Sequence, residues 1–227
     1  QLRPLPSPPM QTAAGASEAA APEIGSHDPP LPAAAAAPNG RFVQLHHTYI
    51  VAETDDGVVI IDQHALHERI IYQELYTRIT RGRLEGQRLL LPEILPMTPR
   101  HQAALETLTP LLIRLGIEAA PFDAQSIAVH TFPSLLSKVS PTEFLRDLLD
   151  KMLELQGKLT EEELLHEVLD MASCKAAVKA GYPLAAGEIA ALLARKDEVD
   201  RSSNCPHGRP TTLRLTLSDL ERQFKRK

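Results

Sequence analysis

Two short segments of this sequence carry side chains that commonly bind metal ions in proteins. Residues 62–68 read DQHALHE, and residues 205–210 read CPHGRP. Thiolate, imidazole and carboxylate groups are the donors that zinc and similar cations prefer. The two segments together therefore predict a metal site, and Cys174, the other of the two cysteines, is a further candidate ligand.

The spacing within each segment favours convergence of these donors. An apolar run at residues 58–61 ends at Asp62 and a helical pattern follows, so Asp62 is expected at a helix N-terminus. On that helix His64 and Glu68 are four residues apart, which places them on one face, about 5–6 Å apart at Cβ. Cys205 and His207 flank a proline and precede a glycine, a combination that permits a sharp turn.

Structural roles compete with this interpretation. A histidine and a glutamate at helical spacing more often belong to a solvated helix face than to a metal site. Cys174 lies among small residues and fits a small buried apolar side chain, while Cys205 fits an inert loop thiol. Asp62 fits a plain N-cap, and His67 fits a surface residue. The joint occurrence of both segments favours the metal site over these separate roles.

Four motifs of the chain resemble, in the same order, those of the C-terminal endonuclease domain of the MutL mismatch-repair family. They are DQHA-x-x-E at residues 62–68, SCK at 173–175, CPHGRP at 205–210 and FKR at 224–226. The resemblance runs from about Arg41 to the C-terminus. Two positions depart from the family pattern. Gln73 stands where a second acidic residue is usual, and the family's Ala-Cys-Arg is here Ser-Cys-Lys.

The resemblance implies a homodimeric, metal-dependent endonuclease that nicks DNA, with zinc and manganese as cofactors and magnesium as an alternative. The residues implied are the metal ligands His64, Glu68, Cys174, Cys205 and His207, the catalytic carboxylates Asp62 and Glu68, and the phosphate or DNA contacts Lys175, Arg209 and Arg226. The resemblance also implies an ATPase domain upstream in the same protein and a separate mismatch-recognition partner. The implied location is the bacterial cytoplasm, at the nucleoid during repair.

The charge of the chain argues against strong DNA binding by this segment alone. The formal net charge is −5, of which residues 1–40 contribute −2, leaving −3 for the remainder. A domain that binds DNA unaided normally carries a basic surface, because phosphate neutralisation supplies most of the non-specific affinity. We therefore expect another protein to deliver the DNA.

Residues 87–92, QRLLLP, suggest that delivery partner. They resemble the Q-x-x-L-x-P peptide with which bacterial repair proteins bind the replication sliding clamp, and the matching positions are Gln87, Leu90 and Pro92. Clamp binding would raise the effective concentration at DNA without intrinsic affinity. The alternative is that the three leucines form a buried strand.

Composition bounds the class of protein. Two cysteines cannot build a disulfide framework, and thiols that bind metal require a reducing compartment. No stretch approaches the roughly 20 apolar residues of a membrane span. Residues 1–40 hold nine of the nineteen prolines and an alanine run, so we expect a disordered linker cut from a longer chain.

The remaining sequence predicts an α+β fold. The sequence predicts a hairpin of two strands at 42–54 and 58–61, then a helix over 63–81 and a strand at 87–91. A helix begun by Thr98-Pro99 and strands at 117–120 and 127–132 are expected next. The Thr160–Glu163 capping box predicts a helix that runs to Gly181, and a second capping box, of Ser218 and Glu221, predicts the last helix. The resemblance implies two subdomains, with residues 41–95 and 160–227 forming the dimerisation half and residues 96–159 the outer, regulatory half.

Homodimerisation is expected through the first hairpin and the last helix, which look too apolar to remain exposed.

A second class of function fits the same residues. His64, Glu68, Cys205 and His207 would fill a closed four-coordinate site, so the chain could be a zinc-stapled dimerisation scaffold without catalysis. A zinc nucleobase deaminase fits less well, because its H-x-E and P-C-x-x-C spacings are absent from the sequence. The effect of Asp62→Asn on nicking discriminates between the enzyme and the scaffold.

Overall fold

The computed structural model of the chain describes residues 41–155, 159–199 and 211–226. The elements in these ranges are β1 (Phe42–Leu45), β2 (Tyr49–Thr54), β3 (Gly57–Asp62), α1 (Gln63–Arg81), β4 (Gly86–Pro96), α2 (Pro99–Arg114), β5 (Glu118–Asp123), β6 (Ser126–Pro133), α3 (Pro141–Leu155), α4 (Glu161–Ala176), α5 (Ala186–Val199), β7 (Thr212–Thr216) and α6 (Leu217–Gln223). The predicted α+β class is confirmed. The predicted linker at residues 1–40 lies outside the described residues.

The first sheet has the strand order β1-β2-β3-β7, and all neighbours are antiparallel. Because successive side chains of a strand point to opposite faces, the two faces of the sheet carry different residues. The inner face packs against α1 and α5 in a core that contains Ile50, Ala52, Val59, Ile61, Leu66, Ile70, Ile189 and Leu192. The outer face bears Val43, Leu45, Tyr49 and Leu213, all exposed. It is an apolar sheet face without a covering element among the described residues.

The second sheet has the order β4-β6-β5, also antiparallel. Its core is larger and includes residues from α1 to α4, among them Leu75, Ile79, Leu105, Leu108, Val129, Phe132, Phe144, Leu148, Val168 and Leu169. Helix α1 is common to both cores, since Leu66 and Ile70 lie in the first and Leu75 and Ile79 in the second. The subdomain boundaries at residues 95 and 160 remain a proposal.

Several sequence-predicted elements agree with the structure. The helix over residues 63–81 is α1, Thr98 caps α2, and the capping box of Thr160 and Glu163 begins α4. In a capping box the two side chains satisfy N–H groups that have no partner within the helix, which is why this spacing marks a helix start so well.

Other predicted elements are wrong. The strand over residues 42–54 is two strands, because His46 and His47 adopt φ values of 50° and 51° and reverse the chain. The last helix is capped by Thr216 and Asp219 instead of Ser218 and Glu221. Helix α4 ends at Ala176 instead of Gly181. The sequence did not indicate α3, α5 or β7. Within the described residues, no helix combines the length and the apolar character that crossing a membrane requires.

Candidate metal centre

The site is built at the junction of β3 and α1. Asp62 is the N-cap of α1, with φ −75° and ψ 112°, and its Oδ1 accepts a hydrogen bond of 3.0 Å from the Ala65 N–H. The N–H of Asp62 donates to the Thr211 carbonyl at 3.0 Å. The predicted N-cap role of Asp62 is therefore confirmed, and the chain leading into β7 passes directly beside it.

Three candidate ligands converge one turn further along α1. The ligand atoms of His64, Glu68 and Cys174 all lie within 4.8 Å of one another. His64 Nε2 and Glu68 Oε2 are 3.6 Å apart, and Glu68 is only 3% exposed. Cys174 approaches from α4 and is exposed, so its alternative interpretation as a small buried apolar residue is wrong. The structure thus brings together the three described members of the predicted ligand set.

The orientation of His64 leaves one ring nitrogen directed at this cluster. His64 Nδ1 lies 2.9 Å from the carbonyl oxygen of Val178, which can only accept a hydrogen bond. Nδ1 therefore carries a hydrogen, and Nε2, which lies 3.6 Å from Glu68 Oε2, is the ring nitrogen that faces the cluster. A histidine that ligates a metal typically donates from its other nitrogen in this way.

His67 bonds to the same peptide from the other side. Its Nδ1 accepts a 3.0 Å hydrogen bond from the Val178 N–H. Burial lowers the pKa of His67 to about 4, with smaller contributions from the positive charges of Lys138 and Arg195. The ring is therefore neutral at pH 7, as acceptance at Nδ1 requires. His67 is thus half-buried with a backbone partner, where the sequence suggested a surface residue, and it is not a member of the donor cluster found among the described residues.

Gln63 is fully buried and joins three segments of the chain. Its Nε2 donates to the carbonyls of His47 at 2.7 Å and Tyr182 at 3.1 Å, and its Oε1 accepts from Gln44 Nε2 at 2.6 Å. Gln44 Nε2 also donates to Tyr182 O at 3.1 Å. Sequence reasoning gave Gln63 no role, although a polar residue at the end of a buried strand is a signal that its side chain has internal partners.

The structure describes two of the three cationic residues predicted to contact phosphate or DNA, Lys175 and Arg226. Lys175 forms an ion pair of 2.5 Å with Asp147 of α3. Arg226 is exposed beyond α6, where its N–H donates to the Glu221 carbonyl. Arg209, like the predicted ligands Cys205 and His207, lies outside the described residues.

The distal position of the first motif carries no acidic group here. Gln73 Nε2 donates to Thr77 Oγ1 at 3.3 Å. The adjacent Glu74 pairs with Arg78 at 2.6 Å and with Arg195 of α5 at 3.0 Å. Glu74 therefore bridges α1 and α5 and does not replace the missing carboxylate.

The predicted clamp peptide is exposed. Gln87, Leu90 and Pro92 are all exposed in β4, an edge strand of the second sheet. Arg88 pairs with Thr131 and Glu93 with Val129, so residues 89–92 of β4 stand opposite a single residue of β6 and bulge outwards. The alternative of a buried strand is wrong for Leu90 and Leu91, whereas Leu89 is half-buried against the core.

The donor set fits a soft or borderline divalent cation. One thiol, one imidazole and one buried carboxylate match the sulfur, nitrogen and oxygen donors of zinc, whereas magnesium prefers oxygen alone. Zinc sites of the structural kind are almost always four-coordinate. The three described donors therefore need at least one more, from a further segment of the chain or from solvent.

Comparisons with known proteins agree with the motif resemblance. Residues 42–184 match the family model described as the MutL C terminal dimerisation domain. The chain is 38% identical over 219 residues to the DNA mismatch repair protein MutL of Azorhizobium caulinodans, which covers 96% of this chain and 34% of that protein. It is 39% identical over 221 residues to the same-named protein of Paramagnetospirillum magneticum, covering 97% and 35%. For Geobacter sulfurreducens the values are 38% over 183 residues, 81% and 30%. The chain thus spans about a third of the length of these relatives.

Proposed function

The chain belongs to the MutL C-terminal dimerisation domain family, and from this membership we propose that it is the metal-dependent DNA-nicking domain of a homodimeric mismatch-repair protein. The observation that carries the proposal is the convergence of His64, Glu68 and Cys174 at the start of α1, next to the N-cap Asp62. Phosphodiester hydrolysis is the reaction that this constellation supports best.

Cys205 and His207 are the proposed remaining ligands. Thr211 lies beside Asp62 and is the first described residue after them. His207 is four residues from Thr211, and a chain of that length spans at most about 14 Å. This short separation supports His207 as a proposed ligand, and Cys205 is proposed with it as a member of the same motif.

A bound divalent cation supplies Lewis-acid polarisation of a phosphate oxygen and makes a water molecule more acidic. The residues of the chain do the rest. His64 and Glu68, with Cys174, Cys205 and His207, would hold the cation, and the Glu68 carboxyl group is the buried oxygen donor among them. We propose zinc and manganese as the resident cations, with magnesium as an alternative.

Asp62 is the proposed catalytic carboxylate. One of its oxygens accepts from the Ala65 N–H, which fixes the side chain at the end of β3. A carboxylate held there can orient an attacking water or accept its proton. Lys175 and Arg209 are proposed to contact the phosphate, although the ion pair of Lys175 with Asp147 competes with that role. Arg226 is a proposed DNA contact.

The outer face of the first sheet is the proposed homodimer surface. Val43, Leu45, Tyr49 and Leu213 are exposed on it, and Leu217 and Phe224 of the C-terminal segment are exposed as well. A second copy of the chain would cover this face by an isologous contact, the commonest form of homodimer.

The sliding clamp is the proposed means of DNA delivery. The bulge at residues 89–92 presents Leu90 and Leu91 to solvent, and large apolar side chains this exposed mark binding surfaces. Because the remainder of the chain is acidic, a tethering partner would supply the effective concentration that its charge does not. The other proposed partners are an upstream ATPase domain and a mismatch-recognition protein, in the bacterial cytoplasm at the nucleoid.

Removal of single ligands tests the site. In the purified chain, Glu68→Ala and His207→Ala should each lower the zinc or manganese content and reduce manganese-dependent nicking of supercoiled plasmid to background. The control Glu106→Ala replaces an exposed carboxylate on α2 and should change neither measurement. Full activity in a folded ligand variant would refute the site.

The substitution Asp62→Asn tests whether the chain is an enzyme or a zinc-stapled scaffold. Asparagine caps helices about as well as aspartate, so the fold should persist. If the chain is an enzyme, the Asp62→Asn variant should lose nicking and retain the metal content and the dimer mass. If the unaltered chain nicks no DNA with zinc, manganese or magnesium, the scaffold is the correct function.

A further inference from the structure

The peptide group of Val178 connects the two helices that carry the described ligands. Its carbonyl oxygen accepts from His64 Nδ1 at 2.9 Å, and its N–H donates to His67 Nδ1 at 3.0 Å. Both histidines are on α1, whereas Val178 follows directly after Ala177, the C-cap of α4. One residue thus fixes the end of α4 to α1 through both of its backbone polar groups.

His67 also accepts the first N–H beyond the end of α4. The Ala177 N–H still makes the helical hydrogen bond, to the Ser173 carbonyl at 2.9 Å. In a continuing helix the next N–H, that of Val178, would donate to the Cys174 carbonyl. It donates to His67 instead, and Ala177 adopts the extended conformation, with φ −68° and ψ 147°. A side chain of α1 thus replaces the Cys174 carbonyl as the acceptor at the end of α4.

The segment after Val178 is fixed at its other end by different residues. Tyr182 O accepts from both Gln44 and Gln63, and the Leu184 N–H donates to Gln44 Oε1 at 3.3 Å. The path of residues 178–184 is thus defined at both ends. Loss of the His67 contact would release only the end at which His64 and Cys174 meet.

We propose that His67 is a positioning residue for the metal site. By accepting the Val178 N–H, it holds the Val178 carbonyl against His64 Nδ1, which directs His64 Nε2 towards Glu68 and Cys174. His67 acts through these neighbours, since the three-residue donor cluster found among the described residues does not include it. The inference rests on the proposed function, because that function gives the cluster its cation.

Two substitutions isolate the acceptor atom. His67→Asn places its side-chain oxygen near the position of Nδ1 and keeps an acceptor for the Val178 N–H. His67→Leu has a similar bulk and no acceptor. We expect His67→Leu to weaken zinc binding by about 10–100-fold, the usual cost of losing an outer-shell partner, and His67→Asn to bind zinc much closer to the unaltered chain. Competition with a chromophoric chelator measures the affinity.

A second measurement needs no metal. In the metal-free chain, ¹⁵N chemical shifts of the histidine rings should show His64 with its hydrogen on Nδ1. His67→Leu should convert this state into a mixture of tautomers, and His67→Asn should preserve it. If His67→Leu does not fold, His67→Gln replaces it, because its oxygen lies one bond further out and cannot occupy the Nδ1 position.

The outcomes separate the inference from the proposed function. If the unaltered chain binds no zinc, the proposed metal site fails, while the tautomer measurement still decides whether His67 orients His64. If the chain binds zinc and the folded His67→Leu variant binds it equally well, the positioning role is refuted. Equal weakening by His67→Leu and His67→Asn would also overturn it, since the acceptor atom would then be irrelevant.

Discussion

Individual residues of the candidate site divide into those that the sequence identifies and those that it does not. His64 and Glu68 were identifiable because a spacing of four residues on a helix implies proximity, and Asp62 because strand-to-helix junctions favour an N-cap. Gln63 and His67 were not identifiable, because their partners Tyr182 and Val178 are more than a hundred positions away. Hydrogen bonds between distant segments leave no local pattern in the sequence.

The Glu163 carboxylate gives a prediction at this scale. Hydrogen bonds from the backbone and the side chain of Thr160 lower the pKa of Glu163. A lowered pKa in the folded state means that the carboxylate stabilises the fold above its unfolded pKa, and that this contribution disappears as the pH falls through the folded value. Glu163→Gln should therefore lower the melting temperature at pH 7, and the difference from the unaltered chain should shrink below about pH 4.

Thermal melts across this pH range check the prediction. Glu162→Gln is the matched control, because it removes the same charge from the same helical turn at an exposed position. It should have a smaller effect at pH 7. A stability difference for Glu163→Gln that stays constant down to pH 3 would contradict the hydrogen-bonded carboxylate as its source.

At the scale of elements, the sequence-based predictions were most accurate at helix starts, because capping residues close to one another in the sequence mark them. Helices α1, α2 and α4 each begin at the predicted cap. It failed where a strand is interrupted, as at His46 and His47, because two histidines with positive φ are not a recognised turn signature. Strand β7 was missed because it is five residues long and is stabilised mainly by pairing with β3.

The bulge of β4 gives the prediction at this scale. Leu90 is fully exposed and Gln87 is exposed, so Gln87→Ala combined with Leu90→Ala should leave the melting temperature nearly unchanged. The same double variant should lose clamp-stimulated nicking and keep basal manganese-dependent nicking. Leu89→Ala is the contrast within the same peptide, because its half-buried side chain packs against the core and its loss should cost up to about 2 kcal/mol.

Melting curves and the two nicking assays, run side by side, decide this point. Unaltered clamp affinity in the folded double variant would end the clamp proposal. A large loss of stability in that variant would instead show that the bulge is part of the core.

At the scale of the whole molecule, the main feature is the apolar outer face of the first sheet, which none of the described elements covers. Its four exposed residues, Val43, Leu45, Tyr49 and Leu213, are brought together by strand pairing between β1, β2, β3 and β7. The sequence predicted an apolar hairpin there, but it did not indicate that β7 would extend the face beyond the hairpin.

Leu213→Glu should convert the dimer into a monomer, because a carboxylate in an apolar contact would lose its hydration without gaining a partner. Light scattering at tens of micromolar protein measures the mass. Leu91→Glu makes the same change at an exposed leucine of the second sheet and should leave the dimer intact. A chain that is monomeric before any substitution would refute the dimer itself.

Helix α1 places the candidate site on the element that the two cores share. Leu66 and Ile70 pack in one core, and Leu75 and Ile79 pack in the other. Neither core can lose this helix without exposing apolar surface in both, so the two should unfold in one cooperative transition. A cation bound at His64 and Glu68 would stabilise the folded state by mass action, and through α1 its binding free energy would protect both cores against unfolding. Hydrogen exchange in the second sheet, remote in sequence from the ligands, should therefore slow when metal is added.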